Sequence, residues 1–186
     1  MAFFSFGKKL GLLITGIVVA LAGILLLFFL LTFRNNLQGE FNGRIVSIGE
    51  NLSGMLAGPL NTVISLSSEG EEFSPEIIQT LSSPSDITIE KQQDIFYAIL
   101  LREGRQISRS NRFGKSDFTL PQDKKEVKGL AGYRVFSVNI EQQKFSQIHI
   151  SVIKAEKTIG ELVLGYSTER IEKTIRNITG LAILIS

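Results

Sequence analysis

No charged side chain interrupts the 24 residues from Leu10 to Phe33. An α-helix of that length spans about 36 Å, which is enough to cross a hydrocarbon core of about 30 Å. The alternatives are a buried core helix and a cleaved signal peptide. A helix that is apolar on every side is rare in a small domain, and the run exceeds the roughly 7–15 apolar residues of a signal peptide. We therefore predict an uncleaved transmembrane helix over 10–33, with the lipid bilayer as its partner.

The charges that flank this segment predict its orientation. Lys8 and Lys9 lie in the short N-terminal stretch 1–9, whereas Arg34 is the single basic residue directly beyond the other end. The cytoplasmic flanks of membrane helices carry an excess of Lys and Arg. We therefore expect residues 1–9 in the cytoplasm and the domain that follows the membrane helix outside it.

Composition excludes several classes of function. Between Arg34 and Arg176 the chain carries 18 basic and 18 acidic residues, a balance that argues against nucleic-acid binding. The chain has no Cys, which excludes a disulfide scaffold, a zinc–thiolate site and a cysteine nucleophile. His149 is its one histidine, so a multi-histidine metal site cannot form within one chain. No Gly-x-Ser-x-Gly or His-Glu-x-x-His motif occurs, and we expect no catalytic residues, metal, cofactor or enzymatic activity in these residues.

The residues after the membrane segment predict a long helix. From Leu37 to Ile64 the apolar residues recur every three or four positions, which is the helical period. We expect this stalk helix to cover 34–67 and to kink at Pro59. Its apolar stripe exceeds what one small sheet is expected to cover, so we expect a homodimer that forms through the stalk helix.

A short helix and a sheet are predicted next. Ser74-Pro75 is expected to start a helix through about Leu81, and Ser83-Pro84-Ser85 to end it. From Asp94 onward the apolar period becomes that of strands. The predicted fold class is α+β, with a five-stranded antiparallel sheet that the stalk helix covers on one face. The strands are expected at 95–101, 106–110, 133–140, 145–153 and 159–167, with a polar loop from Asn111 to about Gly132 and a last helix to about Ile178.

Residues 178–186 open a second uncharged run. As a helix they rise only about 13 Å, which is less than half of a bilayer. One interpretation is the start of a second transmembrane helix, which would make the chain the first part of a longer protein whose external domain covers 34–177. The other interpretation is a frayed apolar tail.

This order of elements resembles the single Cache domain, the PAS-like extracytoplasmic sensor module of bacterial transmembrane receptors. The segment from Asp94 to Ser110 is similar to the first hairpin of such domains, and Ile159–Ser167 resembles the last strand, which leads directly into a helix. The resemblance covers about 34–178. It implies a PAS-like sheet, a small-molecule ligand, and a place in the bacterial inner membrane with the domain periplasmic or extracellular. It also implies a histidine kinase, chemoreceptor or nucleotide-cyclase type of output, which these residues do not contain.

Four residues are candidates for ligand binding. The resemblance implies that the loop after the first hairpin, where basic residues cluster, helps to close a ligand pocket. Arg109 and Arg134 lie at strand edges beside this loop and carry donor forks that suit a carboxylate, which favours a small anion. Tyr133 begins the middle strand, and His149 lies in an alternating strand. The alternatives are a solvated charged loop and a histidine whose hydrogen bonds are satisfied within the sheet.

Two classes of function fit this layout. The first is a sensory receptor whose external domain binds a ligand and works as a dimer. The second is a membrane-anchored structural or assembly protein of the envelope, with an external α+β domain that makes protein contacts. A second membrane span followed by a signalling domain would favour the receptor.

The lack of Cys allows the topology to be tested by labelling. Cysteines introduced at Ser68 and Ser116 are expected to react with a membrane-impermeant thiol reagent in intact cells, because both positions lie in the predicted external domain. A cysteine introduced at Ser5, in the predicted cytoplasmic stretch, is the matched control and should react only after lysis. The reverse pattern would place the domain in the cytoplasm.

Overall fold

The computed structural model describes residues 2–66, 73–113, 118, 120–121, 124–130, 132–140 and 142–185. The chain divides into two compact units. One contains Met1–Phe41 together with Ile171–Ser186, and the other contains Asn42–Arg170. In chain order the elements are α1 (Ala2–Leu66), α2 (Pro75–Lys91), β1 (Ile95–Arg102), β2 (Arg105–Asn111), β3 (Lys124–Leu130), β4 (Tyr133–Ile140), β5 (Gln143–Lys154), β6 (Lys157–Tyr166) and α3 (Glu169–Ile185).

The first unit consists of helical segments. Its part of α1 carries the uncharged run, and large apolar side chains such as Leu12, Leu25 and Phe28 are exposed along it. Among the described residues, α1 is the one helix that is long and apolar enough to cross a membrane. Helix α3 runs through the predicted boundary at residue 178 and ends at Ile185.

The second unit is built on a six-stranded antiparallel sheet of order β2-β1-β6-β5-β4-β3. The predicted α+β class is confirmed, but the predicted number of five strands is wrong. The sixth strand, β3, lies inside the segment predicted to be a polar loop and pairs with β4 from Lys124 to Leu130. The side chains of β3 show no alternation of apolar and polar residues, so the sequence pattern did not predict a strand. An edge strand is held by backbone hydrogen bonds to its one neighbour, and its side chains are often charged. Lys124, Lys125 and Glu126 are accordingly exposed.

Helix α2 is longer than predicted. It continues through Pro84 to Lys91, so the expectation that Ser83-Pro84-Ser85 ends it is wrong. Leu81, Ser85 and Ile89 are buried at a spacing of four residues. The Ser110 hydroxyl of β2 also donates to the carbonyl of Ser82, at 3.3 Å. Burial of this stripe outweighs the backbone hydrogen bond that a proline removes from a helix interior.

The end of α2 is held by one arginine from the β2 end. Arg112 donates from its guanidinium to the carbonyl oxygens of Ile89, Gln92 and Gln93. Ile89 lies in the last turn of α2, where carbonyls have no intrahelical partner, and its carbonyl accepts one of these bonds. A residue that is distant in the sequence therefore holds the end of α2.

Helix α1 covers one face of the sheet, which we call the helix face. Ile45, Leu52, Leu56 and Leu60 of α1 are each no more than 1% exposed. Ser53 donates to the carbonyl of Ser151 in β5, at 2.9 Å. Burial of each large aliphatic side chain stabilises the fold by about 1.5–3 kcal/mol. The helix continues through Pro59 to Leu66.

This burial bears on the predicted dimer. Of the stripe predicted from Leu37 to Val63, Ile45, Leu52, Leu56 and Leu60 are buried within a single chain, whereas Met55 is 63% exposed. A homodimer through the stalk helix stays a prediction, but the buried side chains of α1 cannot form its interface.

Two hairpins turn through two residues, and one of them is strained. Ala155 and Glu156, between β5 and β6, have φ angles of 47° and 65°, while Glu103 and Gly104, between β1 and β2, have 52° and 76°. A left-handed backbone at both turn positions favours Asn-Gly and costs other residues about 1–2 kcal/mol each. The turn between β1 and β2 has the favoured glycine at its second position, whereas the turn between β5 and β6 has no glycine.

We expect the double substitution Ala155→Asn and Glu156→Gly to raise the free energy of unfolding by about 1 kcal/mol, because both new residues accept a left-handed backbone. Gly104→Ala in the other turn is the matched control and should lower it by a similar amount. The measurement is urea-induced unfolding of the full chain in detergent, followed by circular dichroism. An unchanged or lower stability of the double variant would contradict this account of the turn.

Candidate functional site

The face of the sheet opposite α1, which we call the outer face, carries the candidate site. Strand alternation sends Ala98, Leu100 and Leu164 to the helix face and Tyr97, Ile99 and Val163 to the outer face. The outer face has an apolar half on β2, β1 and β6 and a more polar half on β5, β4 and β3. The two halves meet along Tyr97 and Gln147.

The apolar half is covered by aromatic side chains from the segment after β2. Phe118 lies 5.0 Å from Tyr97 and 5.1 Å from Phe113 between ring centroids. Phe113 also meets Phe145 of β5 edge-on at 5.7 Å. We call Tyr97, Phe113, Phe118 and Phe145 the aromatic cluster. Its described residues pack directly on the sheet, where a loop over a pocket was predicted, and 114–117 of that loop lie outside the described residues.

Tyr97 is fully buried because a glycine lies beneath it. The ring of Tyr97 rests over Gly165 of the neighbouring strand β6, where a Cβ atom would overlap the ring. Burial raises the pKa of the Tyr97 hydroxyl, so it stays protonated and acts as a hydrogen-bond donor. A buried hydroxyl needs a partner, and Tyr97 finds one across two strands.

That partner begins a connected set of polar side chains. Tyr97 donates to Oε1 of Gln147 at 2.9 Å, and the Gln147 Nε2 atom lies 2.6 Å from Nε2 of His149. The Nδ1 atom of His149 lies 2.9 Å from Oε1 of Glu161. We call these four residues the polar network. It runs from the fully buried Tyr97 to the half-buried Glu161.

The chemistry of Gln147 determines the proton positions in the network. An amide nitrogen only donates, so Nε2 of His149 accepts from it. The imidazole is then neutral and carries its hydrogen on Nδ1, which donates to Glu161. This hydrogen bond lowers the pKa of the Glu161 carboxyl below its usual range. These hydrogen bonds therefore fit an imidazole with its hydrogen on Nδ1 beside an ionised carboxylate.

Aromatic and charged groups surround His149 on the polar half. The ring of Phe136 in β4 meets the imidazole edge-on, with centroids 4.9 Å apart. The ammonium of Lys124 also lies over the Phe136 ring, 4.7 Å from its centroid. Lys124 also contributes to lowering the pKa of Glu161. The polar half therefore places a largely buried imidazole beside a half-exposed carboxylate, with cations nearby.

Three of the four predicted site residues lie on the outer face. Arg109 pairs with Ile99, Ile99 pairs with Val163, and Val163 pairs with His149. These four residues therefore form one row across the sheet. Arg134 precedes Val135, which pairs with Ile148, and so it continues the same row on β4.

The row separates the two predicted arginines. Adjacent strands are about 4.8 Å apart, so Arg109 and Arg134 lie roughly 19 Å apart across four strand spacings. Arg109 donates to the carbonyl of Phe118 at 3.3 Å and supports the aromatic cluster. Arg134 is exposed and lies beside His149. The two guanidinium groups therefore belong to opposite ends of the outer face.

Tyr133 lies on the helix face, away from the other three candidates. Its hydroxyl donates to the carboxylate of Glu50 in α1 at 2.7 Å. This bond raises the pKa of the Tyr133 hydroxyl. The single-residue step from Tyr133 to Arg134 reverses the face because side chains alternate along a strand.

Sequence reasoning missed Tyr97, Gln147 and Glu161. Their spacing carried a partial signal, since Gln147 and His149 are two residues apart in one strand and must share a face. The partners on β1 and β6 depend on strand register, which the sequence pattern does not specify.

A concave region lies at the end of the sheet where α1 ends. It is a cavity of about 410 Å³ whose walls include Leu101, Arg102, Ser151 and Glu161. Glu161 therefore faces both this cavity and His149. Within the described parts of the chain, no group of three or more His, Asp or Glu side chains is placed to hold a metal ion.

No family model matches this chain, and no curated protein matches it. Among solved structures, the chain is similar to the ligand-binding domain of the Campylobacter jejuni chemoreceptor Tlp3 in complex with L-norvaline. The two are 13% identical with a TM-score of 0.51, and the similarity covers 78% of this chain and 59% of that one. This chain therefore spans less than two thirds of its structural neighbour. The likeness establishes a shared fold and agrees with the predicted α+β class.

The close packing of the Tyr97 ring on Gly165 can be tested by adding one methyl group. Gly165→Ala is expected to displace the Tyr97 ring and to lower the free energy of unfolding by about 1–3 kcal/mol, because the site has no room for a Cβ atom. Gly54→Ala in α1 is the matched control, since nothing lies near that position, and should raise stability by about 1 kcal/mol. Thermal unfolding of both variants checks the pair, and equal effects would contradict this close packing.

Proposed function

We propose that this chain is the ligand-sensing, extracytoplasmic portion of a bacterial membrane receptor, with a domain of the single Cache type. The observation that supports this most is the fold shared with a chemoreceptor ligand-binding domain. It occurs in a chain where the apolar segment and the main helix of the domain are one continuous helix, α1.

The connections of the sheet suit a receptor. Strands β1 and β6 are neighbours in the sheet, although they are its first and last strands in sequence. Ser167 donates its backbone N–H to the carbonyl of Asp94 at 2.9 Å, and α3 begins two residues later. A ligand that shifts β1 against β6 would therefore act on the strand that leads into α3.

We propose that the ligand binds on the polar half of the outer face and is a small anion with a carboxylate. Arg134 and His149 lie next to each other there, and Arg109 lies at the far end of the same row. The structural neighbour was solved with L-norvaline, an amino acid, which supports a carboxylate as the anionic group. Tyr133 is not part of this proposed site, because it bonds to Glu50 on the helix face.

The remaining parts of the proposal follow from the charge pattern and the resemblance. Residues 1–9 are cytoplasmic, 10–33 cross the inner membrane, and 34–177 form the domain in the periplasm or outside the cell. Residues 178–186 begin a second membrane helix, and the receptor works as a homodimer. The domain is a binding module and not an enzyme, and the cytoplasmic output belongs to a part of the receptor other than these residues.

Ligand binding can be measured on the full chain in detergent. A thermal-shift screen with small carboxylates and matched neutral amides is expected to find stabilisation by carboxylates. For a carboxylate found in this screen, Arg134→Ala should lower the binding affinity by roughly 30-fold or more, about 2 kcal/mol. The reason is that the charge of the ligand loses its bidentate partner.

The control for this experiment is Lys144→Ala, which removes an exposed positive charge on β5 outside the proposed site. This variant should bind as the unmodified chain does. Stabilisation by neutral compounds alone would contradict an anionic ligand. An affinity that survives Arg134→Ala would contradict the assignment of that residue.

A further inference from the structure

We infer that the polar network is a proton-responsive device, in which protonation of His149 reverses the direction of the hydrogen bonds that end at Tyr97. The inference deepens the proposed function, since it concerns regulation of the proposed ligand site. Its chemistry depends only on four side chains of this chain and requires no ligand.

In the neutral state every hydrogen bond of the network points the same way. Tyr97 donates to Oε1 of Gln147, Gln147 donates from Nε2 to His149, and His149 donates from Nδ1 to Glu161. In this arrangement no two donors face each other. Gln147 is 1% exposed, so water cannot easily replace either of its partners.

Protonation of His149 makes this arrangement impossible. An imidazolium carries a hydrogen on both nitrogens, so its Nε2–H would face the NH₂ group of Gln147, donor against donor. Gln147 can resolve the conflict by turning its amide through 180°, so that Oε1 accepts from His149. Its NH₂ group then faces Tyr97, whose hydroxyl oxygen becomes the acceptor.

The reversal leaves the hydroxyl hydrogen of Tyr97 without its former acceptor. Tyr97 is 0% exposed and held between Gly165 and the aromatic cluster. Leaving a buried donor unpaired is costly, so the ring or its neighbours must move to find another partner. Protonation on the open polar half is thereby transmitted to the aromatic cluster, which packs on the other half of the outer face.

The charged groups around His149 set the balance between its two states. Glu161 of β6 and the exposed Glu126 of β3 are the negative groups on this side of the sheet. Lys124 of β3 and Arg134 of β4 are the positive groups, and Tyr97 of β1 and Gln147 of β5 are uncharged. Histidine is the side chain whose ordinary charge change falls between about pH 5 and 8.

Because a small anion at Arg134 would add a negative charge beside His149, ligand binding and protonation are expected to favour each other. Linkage then requires that anion affinity rise as the pH falls through the titration of His149. The domain would thus report a combination of external pH and an anionic ligand.

The chain is suited to a direct test by NMR, because it has one histidine and three tyrosines. The probes are ¹⁵N-labelled histidine and ¹³Cζ-labelled tyrosine in the full chain, in detergent, over pH 5 to 8.5. At high pH the ¹⁵N shifts should show hydrogen on Nδ1 and none on Nε2. As the pH falls, the Tyr97 signal should move with the same midpoint as His149. Tyr133→Phe and Tyr166→Phe assign the tyrosine signals.

Gln147→Met removes the connection while keeping an unbranched side chain, and His149→Phe removes the titrating group. In either variant the Tyr97 signal should no longer change between pH 5 and 8.5, with circular dichroism confirming the fold. Three results would overturn the inference: hydrogen on Nε2 at high pH, a Tyr97 signal that does not follow His149, or one that follows it equally in Gln147→Met.

The same samples separate this inference from the proposed function. A coupled Tyr97 and His149 titration in a chain that binds no carboxylate would support the device and contradict the ligand proposal. Carboxylate binding with an affinity independent of pH, together with a Tyr97 signal that does not change with pH, would support the ligand proposal and contradict the inference about the polar network.

Discussion

The helix face of the sheet, where Ile150 and Leu164 lie, packs against Ile45, Leu52 and Leu56 of α1. Gly49 brings the helix close enough for its backbone to approach those two side chains. This contact joins the N-terminal helix to strands that follow it by about a hundred residues. Because one face of the sheet is used in this way, the other face becomes available for polar and aromatic groups.

The outer face shows how a domain of this size holds polar groups in its interior. A buried hydroxyl and a buried amide are each costly alone, and together they satisfy one another. The polar network joins Tyr97 through Gln147 to His149, whose side chain is 13% exposed, and from there to the half-exposed Glu161. In the proposed device, the low exposure of these groups is what carries a change at His149 to the aromatic cluster.

Local patterns predicted the parts of the fold that depend on neighbours in sequence. The spacing from Leu37 to Ile64 predicted a helix, and the run from Ile95 to Leu101 predicted a strand. The same reasoning failed where a distant residue decides the outcome. Pro84 was expected to end α2, but packing on β1 and β2 carries the helix seven residues further, and Arg112 donates to the carbonyl of Ile89 in its last turn. Strand β3 was hidden for a related reason, since its partner β4 supplies its hydrogen bonds.

Composition and periodicity alone establish an apolar segment that fits a membrane, a helix with a buried stripe, and a sheet of antiparallel strands. They also identify His149 as the one imidazole and Arg109 and Arg134 as residues at strand edges. Strand register decided the rest: Tyr133 lies on the helix face, the two arginines lie four strand spacings apart, and Glu161 meets His149. Side-chain periods repeat every two or 3.6 residues and so report which face a residue occupies. Register depends on contacts between strands far apart in the chain, which no local period encodes.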